Sequence, residues 1–341
     1  MADTTILDVR GLTVDFSSGD TTLQAVRGVG FMLRTGECLG IVGESGSGKS
    51  VSALAALGLL GKDARVGGRI RLKGADVLGL APEQLRALRG TLASMIFQEP
   101  SRSFDPIYSI GKTFQETLRV KDPALSPGEC QSRAVRLLSE VHIPRAEERL
   151  KGFPHQFSGG MLQRIMIALA LANDPELLIA DEPTTALDVT IQAEIIGLLN
   201  ELRTRRRLSL VFISHNLALV GQISDRVLVM YAGLVLEAGP TSVVLSQPRS
   251  PYTRALLDAL PSRGSHYSRE KLLTIAGSVP DPTRLEQGCP FAPRCPLVVE
   301  RCRAEIPPLV LDEGERQVPL ASSDEAFSGG VYRCIFPGAK T

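Results

Sequence analysis

Two kinds of apolar pattern alternate along the chain. Leu39–Val42, Ser94–Phe97, Leu177–Ala180, Leu210–Ile213 and Val227–Met230 are short, nearly continuous apolar runs, which predict buried strands. Ile6–Val9 and Leu12–Phe16 instead alternate apolar with polar residues, as half-buried strands do. A turn is expected at Ser17–Asp20, a further strand from Gln24–Val26, and another at Gly67–Leu72. Leu234–Glu237 pairs with Val227–Met230 across Ala232-Gly233 as a closing hairpin.

Helix formers follow many of these runs. Helices are predicted at Val51–Leu57, Pro82–Leu88, Ile165–Leu171 and Ile191–Leu202. Residues from about 101 to 160 change character, with helix-like stretches at Ile110–Val120 and Cys130–His142 and loops holding Pro123, Pro127 and Pro144. That segment reads as a helical subdomain inserted in an α/β core.

One stretch organises the rest. Gly43-Glu44-Ser45-Gly46-Ser47-Gly48-Lys49-Ser50 fits G-x-x-x-x-G-K-[ST] between a predicted strand and a predicted helix, the context its mechanism requires. Gly43, Gly46 and Gly48, with Ser45, let the backbone wrap a phosphate, and the N–H groups at the helix start face the anion. Lys49 supplies a full charge to the β/γ-phosphates, and the Ser50 hydroxyl is a ligand for Mg²⁺. The chain is therefore expected to bind a nucleoside triphosphate.

Other candidates fall at strand and helix ends. Gln98 closes the Ser94–Phe97 run and can reach Mg²⁺ and an attacking water. Ser158-Gly159-Gly160 opens an apolar helix, which gives a second phosphate-binding surface. Asp181 and Glu182 end the Leu177–Ala180 run; Asp181 is placed to hold Mg²⁺ and Glu182 to polarise the water that attacks the γ-phosphate. His215, after Leu210–Ile213, can donate to the γ-phosphate. Phe16 lies upstream of the phosphate loop, where its ring can stack on adenine or pack in the core.

Composition narrows the class. With 43% hydrophobic and 22% charged residues the chain is globular, and a net charge of +1 gives no sign of nucleic-acid binding. Arg203-Thr204-Arg205-Arg206-Arg207 reads as a solvated helix end. No run approaches a membrane span, and Met1–Thr5 lacks the regions of a signal peptide, so a cytosolic protein is expected, attached to membrane only through partners.

Taken in order, these motifs resemble the nucleotide-binding subunits of ABC transporters, over residues 5 to about 260. Gly43–Ser50, Gln98, Ser158-Gly159-Gly160, Asp181-Glu182, Asp188 and His215 carry the likeness. More narrowly the chain resembles ATPase subunits of dipeptide/oligopeptide importers, through Phe153–Met161, Ile179–Thr190 and Pro251-Tyr252-Thr253 with the helix to Leu260. Met161 stands where the wider family has glutamine. The resemblance implies a P-loop NTPase of ABC type, with residues 1–260 as the ATPase domain and 261–341 as a small extension. It implies ATP hydrolysis with Mg²⁺ driving peptide import, with ATP sandwiched between Gly43–Ser50 of one subunit and Ser158–Gly160 of another, and with Asp188 among the nucleotide-binding residues. Implied partners are a second, related ATPase, two transmembrane permease subunits and, indirectly, an extracytoplasmic substrate-binding protein. The implied location is peripheral, on the cytoplasmic face of the inner membrane. Importers of nickel, glutathione or other small solutes share this ATPase type, and a soluble non-transport ABC ATPase is the reading from a different class.

Six cysteines are present, of which Cys38 and Cys130 read as ordinary buried residues. After a polar linker near Pro261–Glu270, Cys289, Cys295, Cys302 and Cys334 follow at C-x5-C-x6-C spacing with a distant fourth. In a reducing compartment such clustering suggests a metal site before disulfides, either Zn²⁺ or an iron–sulfur cluster. The core Cys289-Pro290-Phe291-Ala292-Pro293-Arg294-Cys295-Pro296 resembles the importer-type extension, which implies a [4Fe–4S] cluster on these four cysteines.

Overall fold

The computed structural model describes residues 5–18, 21–185, 187–260, 274–283, 287–311 and 330–335. These fall into two compact units. One comprises Thr35–Glu37 and Gly79–Ile213; the other comprises Thr5–Arg34, Cys38–Leu78 and the chain from Ser214 onward.

In the first unit, the strands Ala93–Ile96, Leu177–Asp181 and Ser209–Ser214 run parallel, with Ala93 opposite Leu177 and Asp181 opposite Ile213. Leu177–Asp181 and Ser209–Ser214 are buried at every position, which explains why their sequences show no alternation. Ala93–Ile96 begins and ends one residue before the expected run Ser94–Phe97, and Phe97 beyond it is 44% exposed. The helices Ile110–Lys121 and Pro127–Glu140 follow, each with a buried stripe: Ile110, Phe114 and Leu118 on one, Cys130, Ala134, Leu137 and Leu138 on the other. Pro127 is not a loop residue. It starts the second helix behind a capping box in which Ser126 and Glu129 satisfy each other's backbone N–H groups. The long helix Val189–Arg206 ends in the arginine run, but Arg206 is not merely solvated. Its guanidinium bridges Glu140 at 2.5 Å and Asp174 at 2.9 Å.

In the second unit, Thr5–Ser18 and Thr21–Arg34 form one long antiparallel pair where separate short strands were expected. Gly19 and Asp20 of the expected turn lie outside the described residues. Ala64–Leu72 joins the other edge of Thr5–Ser18, followed by Ala75–Asp76. Cys38–Val42 runs parallel to Arg226–Tyr231, which pairs antiparallel with Leu234–Pro240. The connecting turn holds Ala232 and Gly233 at φ 45° and 78°, the positive values that a tight hairpin turn demands. Leu217–Ile223, Thr241–Ser246 and Pro251–Asp258 are helices, the first two without an expectation from the sequence. The tail returns to the sheet: Val331–Tyr332 pairs with Glu237 and Ala238 on one side and with Val310–Leu311 on the other. The linker Pro261–Glu270 lies outside the described residues. Among the described residues no helix is long and apolar enough to cross a membrane.

Candidate functional site

The candidate residues divide between the two units. The second holds the phosphate loop, between the strand Cys38–Val42 and the helix Lys49–Ala56. Gly48 has φ 93° and the Cβ of any other residue there would lie 2.6 Å from the Ala25 carbonyl oxygen. At Gly43 a Cβ would lie 2.1 Å from the Met230 carbonyl oxygen. The loop can therefore close this tightly only with glycine at both positions. Lys49 is buried, and its Nζ donates to the carbonyls of Gly43 (2.8 Å) and Glu44 (2.9 Å) and to Ser47 Oγ (3.4 Å). The ammonium is thus fixed at the mouth of a helix whose first N–H groups and dipole also favour an anion. Ser45 and Gly46 are exposed at the loop tip and Ser50 is half-buried in the first helical turn. Phe16, on Thr5–Ser18, is half-buried rather than in the core, so part of its ring is open to solvent. His215 is exposed just beyond Ser209–Ser214.

The first unit gathers the acidic and amide candidates. Asp181 is buried at the end of its strand. Glu182 has φ 47°, a strained value for a side chain of its size, held by its N–H bonding to the Ile213 carbonyl at 2.9 Å. Its carboxylate Oε2 accepts from Gln98 Nε2 (3.1 Å) and from Thr185 Oγ1 (2.9 Å). Gln98 and Glu182, distant in sequence, thus meet. Thr185 was missed by sequence reasoning: a turn returns it to Glu182, its N–H bonding to the Glu182 carbonyl at 3.1 Å. Its place in the Asp181–Asp188 stretch was the available signal. Ser158 caps the helix Gly159–Ala170, its Oγ accepting from Met161 N. Gly160 approaches Ile191 so closely that a Cβ would sit 2.9 Å from that side chain. Asp188 caps Val189–Arg206 by accepting from Ile191 N at 3.0 Å, which ties it to its own helix.

The four tail cysteines come to one place in the second unit. Cys289, Cys295, Cys302 and Cys334 all line a cavity of about 30 Å³ with Phe291, Leu236 and Arg333. Cys289 N bonds to the Cys302 carbonyl at 2.7 Å, and Arg333 N to the Leu236 carbonyl at 2.8 Å. Burial, with neighbouring thiols adding to it, pushes the Cys289 and Cys295 thiols up. Arg333 is buried, donates to the carbonyls of Val235 and Pro307, and leaves Nη2 without a partner. Burial pulls this guanidinium down to about 10. A buried cation beside thiols suits an anionic thiolate centre. Among the described residues no three His, Cys, Asp or Glu side chains are arranged to hold a metal ion. The expected four-thiolate ligand set is therefore not formed as these side chains stand. No disulfide joins any of the described cysteines.

Comparison with known proteins places the chain in a family. The profile of the family described as "ABC transporter" matches residues 26–185, and that of "Oligopeptide/dipeptide transporter, C-terminal region" matches residues 236–302. The chain belongs to the ABC transporter family, in the branch that carries the oligopeptide/dipeptide C-terminal region, and it is an ATPase of that family. It is 45% identical to the oligopeptide transport ATP-binding protein OppD of Salmonella typhimurium, over 97% of this chain and 93% of that protein. It is 47% identical to OppD of Escherichia coli, over 89% of each. Among solved structures, the dimeric ATP-binding cassette MJ0796 with ADP and Pi matches with a TM-score of 0.62 at 25% identity, covering 69% of this chain and 98% of that one.

Proposed function

We propose that this protein hydrolyses ATP to drive import of oligopeptides or dipeptides through a membrane permease. The observation that carries the reading is identity of 45–47% to oligopeptide transport ATP-binding proteins, spanning both the ATPase and the C-terminal region. Mg·ATP is the substrate. Gly43–Ser50 holds its phosphates, with Lys49 as the point charge and Ser50 and Asp181 as the Mg²⁺-side ligands. Glu182 acts as the general base toward water, oriented by the amide of Gln98 and the hydroxyl of Thr185. His215 donates to the γ-phosphate and Phe16 stacks on the base.

Ser158–Gly160 and Asp188 serve the nucleotide of a second, related ATPase subunit, so that ATP closes the pair and its hydrolysis opens it. A related cassette is dimeric in a structure with ADP and Pi, which supports the pairing of two such subunits. On the cytoplasmic face of the membrane, the ATPase pair passes this motion to two transmembrane permease subunits, which convert it into transport. For the tail, the thiol chemistry and the buried Arg333 support a [4Fe–4S] cluster or Zn²⁺, provided that the side chains rearrange to hold it. Iron, zinc and acid-labile sulfide counted after anaerobic purification decide between them.

The central experiment is Glu182→Gln in the assembled importer. ATP affinity is expected to persist while hydrolysis and peptide uptake fall about 10²–10⁴-fold, the usual worth of a general base. Normal turnover in that variant would remove Glu182 from this role. Normal ATP turnover without peptide uptake by the wild type would remove the import reading.

A further inference from the structure

The tail does more than extend the ATPase: it holds the phosphate loop. Arg294 lies between Cys289 and Cys295 in sequence, its side chain is 4% exposed, and all five of its N–H donors are used. Two form a planar fork onto the Glu44 carboxylate, Nη1 to Oε2 at 2.6 Å and Nη2 to Oε1 at 3.0 Å. The others reach Tyr231 Oη and the carbonyls of Ile275 and Ala276. The guanidinium also lies 5.9 Å from the Tyr231 ring centre and 6.0 Å from that of Phe291. Those rings and Tyr252 form one cluster, with centres 4.6–5.5 Å apart.

Glu44 is the second residue of the phosphate loop, and every polar group it has is engaged. Its carboxylate takes the Arg294 fork, its N–H donates to Tyr252 Oη at 3.0 Å, and its carbonyl accepts from Lys49 Nζ at 2.9 Å. The same carbonyl accepts from Ser47 N at 3.2 Å. A short chain of contacts therefore runs from Arg294 through Glu44 to the ammonium of Lys49. A bidentate, part-buried pair fixes direction as well as distance, which a lysine at 294 could not do.

We propose that Arg294 is a positioning residue for the phosphate loop, by which the cysteine-bearing tail sets the loop's affinity for ATP. This rests on reading Gly43–Ser50 as the ATP-binding loop. It predicts that losing the fork moves Lys49 from its place and weakens nucleotide binding before it slows chemistry.

The test is a double-mutant cycle on the full chain, titrated with a fluorescent ATP analogue and Mg²⁺, with KM and kcat measured in the assembled transporter. Arg294→Gln is expected to weaken ATP about tenfold, because the loop loses a charge-assisted bidentate hold, with the loss carried by KM rather than kcat. Arg294→Lys should fall between it and the wild type. The double variant with Glu44→Gln should be no weaker than Arg294→Gln alone, because both remove one interaction. Should Arg294→Gln fail to fold, the same cycle is read with Arg294→Lys. Wild-type affinity in the Arg294 variants, or effects of the two sites that simply add, would overturn the proposal. Lys49→Ala, run in parallel, separates the two levels. If it loses ATP while the Arg294 variants keep it, the latch fails alone; if it too keeps ATP, the phosphate-loop reading fails.

Discussion

The phosphate loop and the cysteine tail both concentrate reactive side chains, but they reach their geometry by opposite routes. The loop is contiguous. Lys49 is held by Gly43, Glu44 and Ser47, all within six positions, so the motif carries most of its own shape. The tail gathers thiols from residues 289 to 334 around one cavity, with Cys334 brought in beside Val331–Tyr332, which pairs with Glu237 and Ala238. A local site is broken mainly from within, with Arg294 and Tyr252 as the holds on Glu44 from outside. A distributed site is broken by anything that shifts its frame.

Substitutions can test that contrast. The largest effect is expected for Gly43→Ala, whose Cβ would meet the Met230 carbonyl at 2.1 Å. Overpacking against backbone of this kind costs about 3 kcal/mol. A fall in the urea midpoint together with lost ATP binding is expected, and an unchanged midpoint would show that the loop relaxes easily. Arg333→Ala comes next, at roughly 2 kcal/mol, because it strips the carbonyls of Val235 and Pro307 of a buried charged donor. Its signature is faster alkylation of Cys289, Cys295, Cys302 and Cys334. Equal labelling in variant and wild type would mean that the cavity does not depend on its frame. The smallest effect belongs to Ser47→Ala, which removes only the 3.4 Å contact to Lys49. About a twofold loss of ATP affinity is expected, corresponding to ~0.5 kcal/mol; a tenfold loss would make Ser47 a principal support of the ammonium.

Much of the site was legible because its signals are local. The strand-loop-helix setting of Gly43–Ser50 and the carboxylates ending Leu177–Asp181 follow from short-range pattern, and both stand in the structure. Phe97 was misread as buried because an apolar run does not say where a strand stops. Pro127 was misread as a loop residue because proline suits a helix's first turn as well as a turn. Thr185 escaped notice because a tight turn, not helical or strand spacing, returns it to Glu182.

By itself the sequence determined most of the core strands, the glycine-rich loop between a strand and a helix, and the carboxylate pair at a strand's end. Backbone preference, apolar period and glycine placement act over a few residues and need no distant partner. Only the tertiary structure decided that Gln98 reaches Glu182, that four scattered thiols share one small cavity, and that Arg294 grips Glu44 from 250 positions away. These contacts depend on strand register and buried packing, which set the distance between residues that no local pattern relates.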